Sequence, residues 1–231
     1  MRIKNPFKDL SNFELVLWIV SVLVIVISSI MAGGDAILNT IASVIGVTAL
    51  IFVAKGYVLG QVLTVVFALF YGIISFFMKY YGEMITYMFM TAPIAIMAVV
   101  SWIRHPYEGT KEVQVNRLNR NQVYKIIVFA VIITTAFFFI LRWLNNASLI
   151  VSTVSITTSF VASYLTFLRS PYYALAYAAN DIVLIILWVI ATLKEISYLP
   201  MVLCFVMFFA NDIYGYYNWQ RMRKRQEKIN K

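Results

Sequence analysis

The chain has 231 residues, of which 62% are hydrophobic and only 13% charged, whereas a soluble domain is about half apolar and a quarter charged. This composition excludes an ordinary soluble protein and indicates a chain that folds in lipid. The net charge of +9 comes from basic residues scattered through short polar segments and one tail, so it does not predict a nucleic-acid surface. Cys204 is the single cysteine and lies in an apolar run, so we expect a small core side chain and no internal disulfide.

Eight apolar segments are long enough to cross a hydrocarbon core of about 30 Å as helices, which takes roughly 20 residues each. Their continuous apolar runs lack the alternating pattern of a membrane β-barrel, so the sequence predicts an all-α integral membrane protein. The basic start of the chain is not followed by a cleavage site, and we expect the first span to be retained. The segments cover approximately residues 13–32, 36–54, 57–78, 82–103, 123–143, 147–168, 172–193 and 196–219.

The basic residues predict how these spans are oriented. With the amino terminus in the cytoplasm, sixteen of the 19 Lys and Arg residues fall on the cytoplasmic side, and only Lys79, Arg142 and Lys194 fall outside. This division follows the positive-inside rule, whereas a seven-span arrangement mixes the two groups. We therefore expect a multi-pass protein of a cell membrane, surrounded by lipid, with both termini in the cytoplasm.

The longest polar connection, residues 104–122, divides the chain into comparable halves. The second to fourth spans end in Trp102-Ile103-Arg104, and the sixth to eighth end in Trp219-Gln220-Arg221. Two three-helix units joined by one span must share an orientation, which predicts a 3+1+3 core of parallel repeats plus an extra N-terminal helix. The predicted units are a tail and first span (1–35), a first repeat (36–104), a loop and linking helix (105–146), a second repeat (147–220) and a basic cytoplasmic tail (221–231).

Polar groups inside the predicted spans are the main candidates for function, because they cost free energy in hydrocarbon unless they are paired or line a wet cavity. The triplet Asn-Asp-Ile occurs twice, at Asn180-Asp181 in the seventh span and at Asn211-Asp212 in the eighth. An Asn side chain offers two donors and one acceptor, which suits amide or hydroxyl groups of a solute. The alternative is that these residues only form hydrogen bonds between helices.

Helical spacing places further polar and aromatic residues on the same faces. Trp188 is seven residues from Asp181, and Tyr214 and Asn218 follow Asn211 at i+3 and i+7. Together these residues predict a pocket lined by aromatic rings and amides. Aromatic rings stack well on a flat heterocycle, and they attract a cationic ring more strongly. In the third span, Gln61 is the clearest counterpart of a binding amide, followed by Tyr71. The predicted substrate-binding set is Gln61, Tyr71, Asn180, Asp181, Trp188, Asn211, Tyr214 and Asn218.

The sequence favours a protein that is not an enzyme and needs no cofactor. It contains no phosphate-binding loop of the G-x-x-x-x-G-K-[ST] type and therefore no built-in ATP motor. Its only histidine, His105, lies in a loop beside Pro106, and no His/Cys cluster is present for a metal. Neither a G-x-S-x-G nor an H-E-x-x-H element occurs.

Three stretches of the second half carry a resemblance to a known family. They are residues 177–181 (Tyr-Ala-Ala-Asn-Asp), Leu187-Trp188, and residues 211–219 (Asn-Asp-Ile-Tyr-Gly-Tyr-Tyr-Asn-Trp). The chain resembles the PnuC family of bacterial vitamin transporters, the nicotinamide riboside carriers, in which an Asn of the seventh span follows an aromatic-rich stretch and the last span has a Tyr-Gly-aromatic-x-x-Trp-like ending. Asn180 and residues 214–219 match these two features.

The resemblance implies a fold akin to the SWEET sugar carriers, a homotrimer, and facilitated diffusion of nicotinamide riboside across a bacterial cell membrane. It also implies that a cytoplasmic riboside kinase draws uptake by phosphorylating the vitamin. Under this interpretation the amides of Asn180, Asn211 and Gln61 hold the ribosyl and amide groups. The ring then lies against Trp188 and Tyr214, and Asp181 complements its positive charge.

One departure leaves the substrate open. Family members often carry tryptophans just before the Asn of the seventh span, where this chain has residues such as Tyr173 and Ala176. Because related carriers transport deoxynucleosides, thiamine or riboflavin, a nucleoside or another heterocyclic vitamin is the alternative substrate. A non-transporting membrane scaffold or sensor is the alternative from another class.

The predicted orientation can be tested with single cysteines in a chain that carries Cys204→Ser. We expect an impermeant thiol reagent to leave Lys111→Cys and Lys231→Cys unlabelled in intact cells and to label both after the membrane is opened. Arg142→Cys is the matched control, and it should be labelled in intact cells. Labelling of Lys111→Cys from outside would contradict the eight-span topology.

Overall fold

The computed structural model of the chain describes residues 5–31, 37–77, 81–146, 148–193, 196 and 199–229, without the side chains of residues 39, 81, 82 and 229. The charges of Lys79, Lys194 and Lys231 and of the first four residues, on which part of the predicted orientation rests, lie outside these ranges. Within them the chain forms nine α-helices. They are α1 (Asn12–Met31), α2 (Ile37–Ala54), α3 (Val58–Phe77), α4 (Tyr81–Ile85), α5 (Ala92–Arg104), α6 (Arg120–Trp143), α7 (Leu149–Phe167), α8 (Tyr173–Thr192) and α9 (Leu199–Ile229).

The all-α membrane architecture predicted from the sequence is confirmed. Seven helical stretches are long and apolar enough to cross a membrane: Asn12–Met31, Val58–Phe77, Glu83–Arg104, Arg120–Trp143, Leu149–Phe167, Tyr173–Thr192 and Leu199–Lys228. Helix α2 is the eighth, with a shorter apolar stretch, Thr40–Ala54. The described residues contain no strand, only two isolated β-bridges.

The fourth predicted span is built from three pieces. A π-helical segment, Thr86–Thr91, joins α4 to α5, and the N–H of Ala92 donates to the carbonyl of Tyr87. Pro93, in the first turn of α5, explains this widening, because proline has no N–H and its ring crowds the carbonyl four residues earlier. The wider turn moves the backbone past this crowding without ending the span.

The basic tail predicted from residue 221 is a continuation of α9, which runs to Ile229. Its side chains bind the loop between α5 and α6: Arg225 pairs with Glu112, and Gln226 accepts from the N–H of Val115 at 2.8 Å. The same loop reaches the turn between α2 and α3, where Val113 donates to the carbonyl of Gly56. Burial, together with the Asp9 and Glu112 carboxylates, raises the pKa of Tyr57 in that turn to about 12.

Helix packing in the two halves follows the same order. In the first half α2 packs on α3 and α3 on α5, and in the second α7 packs on α8 and α8 on α9. Across the halves α2 contacts α9, and α5 contacts α7. Helix α1 covers α2 and α9 from outside this arrangement, and α6 packs against α7.

Two tryptophans join the halves through matching hydrogen bonds. The indole N–H of Trp102 donates to the carbonyl of Thr166 at 2.9 Å, and that of Trp219 donates to the carbonyl of Val53 at 2.9 Å. The two rings lie 5.5 Å apart. Three residues after each acceptor the backbone turns left-handed, at Gly56 (φ 70°) and at Arg169 (φ 56°). These paired contacts agree with the predicted parallel repeat, which superposition of the halves tests directly.

Replacing either tryptophan should weaken the fold by a similar amount. Trp102→Phe and Trp219→Phe each remove one buried hydrogen bond and part of one buried ring, so we expect each to lower the free energy of unfolding by about 1–3 kcal/mol. Trp143→Phe is the control, because Trp143 is 81% exposed and should tolerate the change. Thermal unfolding of the purified protein measures all three, and equal melting temperatures for the buried and exposed variants would contradict the role given to the pair.

Candidate functional site

A cavity lies between the two halves and contains about 690 Å³ of empty space, open solvent included. Its wall is formed by α2, α3, the π-helical segment, α7, α8 and α9. Apolar walls with a few placed polar groups are typical of small-molecule sites. The polar side chains in this wall are therefore the first to consider.

Asn180 is held in place by hydroxyl groups of the neighbouring helix. Its Oδ1 accepts from Thr158 Oγ1 at 2.8 Å and from Ser155 Oγ at 3.2 Å, both on α7. The amide oxygen is therefore committed to the protein, which leaves the amide N–H groups as donors for a solute. Asn180 is 5% exposed and lines the cavity.

Gln61 approaches the same cavity from α3, where Gly60 permits close packing on α2. A Cβ at position 60 would overlap the backbone of Phe52 and Val53, so only glycine allows the two helices to come this near. The following residue, Gln61, is 2% exposed and lines the cavity. Two of the four amides predicted to bind a solute, Gln61 and Asn180, thus come from different halves of the chain and line one cavity.

Two polar atoms in the cavity wall have no hydrogen-bond partner among the described residues. They are Oδ2 of Asp181, on α8, and Oγ1 of Thr91, at the end of the π-helical segment. Asp181 is 3% exposed and Thr91 is 6% exposed. Buried polar atoms are nearly always paired in native structures, so two such atoms facing one cavity indicate a site for a polar solute.

Aromatic rings cover much of the remaining wall. Tyr173 and Tyr177 come from α8, Tyr87 from the π-helical segment, and Phe67 and Phe208 from α3 and α9. The hydroxyls of Tyr177 and Ser163 are hydrogen bonded at 2.9 Å, and Tyr173 packs edge-on against Trp219 with ring centroids 5.0 Å apart. These rings provide flat apolar surface beside the amide and carboxyl groups.

Of the predicted substrate-binding set, Gln61, Asn180 and Asp181 line the cavity, and two tyrosines that the sequence analysis did not include line it as well. Tyr173 and Tyr177 precede Asn180 by seven and three residues and Leu184 follows it by four, which is the spacing of one helix face. That spacing was available in the sequence. Thr91 had no comparable signal, because its exposure to the cavity depends on the π-helical segment.

Five other predicted residues lie outside the cavity wall. Asn211, Tyr214 and Asn218 share one face of α9, as predicted, but that face packs on α1 and α2. Asn211 donates to Ser21 and to the carbonyl of Met207, Tyr214 donates to Glu14 at 2.7 Å, and Asn218 donates to the carbonyl of Ala54 at 2.8 Å. The polar groups of α9 are thus divided between two faces.

The remaining two predicted residues belong to packed regions beside the cavity. Trp188 is buried in an apolar cluster with Leu184, Cys204 and Phe205. Tyr71 packs on Tyr87 with ring centroids 4.6 Å apart and lies behind it. Their predicted contact with a solute stays a prediction.

Helix α1 is fixed to the bundle by an ion pair that the sequence analysis did not identify. Glu14, 2% exposed, accepts from Lys55 Nζ at 3.0 Å as well as from Tyr214. A buried carboxylate requires such partners, because an unpaired charge is costly to bury. This network explains why Tyr214 faces α1.

Membrane-spanning helices around a buried cavity with converging amides define the class of a multi-pass membrane transporter. Residues 36–221 match the family model described as nicotinamide mononucleotide transporter, and the chain belongs to this family. The resemblance to PnuC carriers is thereby confirmed.

Curated relatives and a solved structure agree with this assignment. A protein of Neisseria mucosa named nicotinamide riboside transporter PnuC is 28% identical over 228 residues, 96% of this chain and 86% of the relative. A protein of Haemophilus influenzae with the same name is 23% identical over 97% of both chains. A structure described as the crystal structure of the vitamin B3 transporter PnuC covers 94% of both chains with a TM-score of 0.80 and 26% identity. These relatives are transporters by name and not enzymes.

The contacts of Asn180 and Asn218 predict that replacing each residue by leucine changes the stability of the fold by different amounts. Loss of the Asn180 amide leaves Thr158 with the carbonyls of Val154 and Ser155 as acceptors, so Asn180→Leu should change the free energy of unfolding little. Asn218→Leu removes the donor to Ala54 from a packed interface and should cost about 1–3 kcal/mol. Melting temperatures of the solute-free variants compare the two. A larger loss for Asn180→Leu would mean that this residue serves packing.

Proposed function

We propose that the protein carries nicotinamide riboside across a bacterial cell membrane by facilitated diffusion. The observation that carries the proposal is the cavity between the halves, where donor amides, aromatic rings and buried carboxyls meet. Nicotinamide riboside has a carboxamide, a ribosyl group and a flat cationic ring, and each of these groups finds complementary chemistry there. The names of the two curated relatives support this choice of solute.

Three predicted residues have direct roles in this proposal. The amides of Asn180 and Gln61 bind the ribosyl and carboxamide groups, and Asp181 complements the positive charge of the ring. The tyrosine rings of Tyr87, Tyr173 and Tyr177 take the stacking role that the sequence analysis gave to Trp188 and Tyr214. The geometry supports this change because these phenol rings line the cavity.

Alternating access follows from the proposed repeats. We take residues 36–104 and 147–220 as two three-helix units linked by residues 105–146, with residues 1–35 outside the core and both termini in the cytoplasm. The matched bonds of Trp102 and Trp219 support this division, since each joins one unit to the other. Movement of one unit against the other around the cavity would expose the solute to either side in turn.

We further propose that the protein is a uniporter and that it assembles as a homotrimer. The resemblance to the PnuC family supports the trimer and the dependence of net uptake on a cytoplasmic riboside kinase. No phosphate-binding loop is present in the sequence to supply ATP energy within the chain.

A related nucleoside or heterocyclic vitamin is the second candidate solute. Tyr173 and Ala176 stand where family members often have tryptophans, and Tyr173 faces the cavity. A different ring surface at this place can change which heterocycle stacks best. A scaffold or sensor, the candidate from another class, would bind without transport or not bind at all.

Transport by proteoliposomes tests the proposal. We expect saturable uptake of labelled nicotinamide riboside that stops when the concentrations on both sides are equal and needs no sodium or proton gradient. Asn180→Leu should weaken binding roughly 5- to 150-fold, because a solute group loses its buried partner, while the protein stays folded. Asn218→Leu is the matched control and should bind as the wild type does. Binding without uptake would favour a sensor, and uptake of a nucleoside but not of the riboside would favour the second solute.

A further inference from the structure

Two carboxyl groups meet in the cavity wall. The side chains of Asp181 on α8 and Asp212 on α9 line the same cavity, where α8 and α9 pack together, and their carboxyl groups are close enough to interact. Each is 3% exposed, and both line the cavity. Two neighbouring carboxyl groups buried away from water disfavour ionising together, and a proton shared between them removes that repulsion.

No basic side chain balances this pair within the described part of the cavity wall. The titratable groups that face it are the phenols of Tyr87, Tyr173 and Tyr177 and the thiol of Cys204, all neutral in their ordinary state. A further carboxyl group, that of Glu83, interacts with Tyr87. The ammonium group of Lys55 does not line the cavity and is paired with Glu14. A negative charge on the pair therefore has no basic partner among the described residues that line the cavity.

An independent observation points to the same part of the molecule. Oγ1 of Thr91 and Oδ2 of Asp181 both lie in residues of the cavity wall, and both are buried without a hydrogen-bond partner among the described residues. The Asp181 atom is a carboxyl oxygen, which can accept a hydrogen bond or face a positive charge. A cationic group placed here would interact with that oxygen and neutralise the pair.

We propose that Asp181 and Asp212 act as one carboxyl dyad, sharing a single proton and a single negative charge, and form the subsite for the cationic ring of the solute. The inference rests on the proposed function and adds Asp212 to the site. Because the dyad carries one charge in total, its two members are interchangeable as carriers of that charge. An amide can replace the protonated member, since its N–H donates to the remaining carboxylate as the O–H did.

A shared charge predicts a different pattern of affinities in single and double variants from the pattern that two independent carboxylates would give. Asp181→Asn and Asp212→Asn should each bind nicotinamide riboside within about tenfold of the wild type, because one carboxylate and one donor remain. The double variant should lose about 100-fold or more, because no charge remains to face the ring. Reduced nicotinamide riboside has the same amide and ribosyl groups without the charge, and its affinity should vary no more than about threefold across all four proteins.

Isothermal titration of the full-length protein with the oxidised and the reduced riboside measures these affinities. Glu83→Gln is the matched control: it removes a membrane carboxyl outside the dyad and should leave both affinities unchanged. Binding of the reduced riboside also shows that each variant is folded. Additive losses in the single variants, a double variant that keeps the cation, or equal wild-type affinities for the two ribosides would each overturn the dyad. Failure of the wild type to bind either form would contradict the proposed function itself.

Discussion

In hydrocarbon, a polar group that finds no partner within the protein is costly, and the rest of this structure depends on that constraint. The backbone meets it by forming helices. The side chains meet it by bonding to neighbouring helices: Trp219 to Val53, Asn218 to Ala54 and Tyr214 to Glu14. Each of these bonds also positions one helix against another. The polar groups therefore find their partners only when the helices pack together.

Two of the exceptions to this pairing lie in the wall of one cavity, while Oδ1 of Asn211 is a further buried atom without a partner among the described residues and lies outside that wall. The oxygen of Asn180 is satisfied by α7, but its amide faces the cavity, and one atom each of Asp181 and Thr91 has no partner among the described residues. A solute with donors, acceptors and a charge would complete these groups. Binding of such a solute would be stabilised by the same kind of hydrogen bond that elsewhere stabilises the fold.

The cavity lies between the two halves of the chain, and each half contributes part of its wall. Gln61 belongs to the first half of the chain and Asn180 to the second, so a solute held by both would respond to any movement between them. Trp102 and Trp219 bond each half to the other close to Tyr173, whose ring lines the cavity. Tyr173 therefore belongs both to the cavity wall and to the contact between the halves.

The sequence by itself determined the membrane class, the eight helical segments and the candidate polar residues, because the cost of burying a group in lipid depends on its own chemistry and local surroundings. It did not determine which polar residues face the cavity. Asn211 and Asp212 are adjacent, yet successive side chains on a helix point about 100° apart, so one bonds to α1 and the other lines the cavity. Only the packing of α1 and α8 on different faces of α9 decides between them, since both residues are polar and the sequence does not say which face meets which helix.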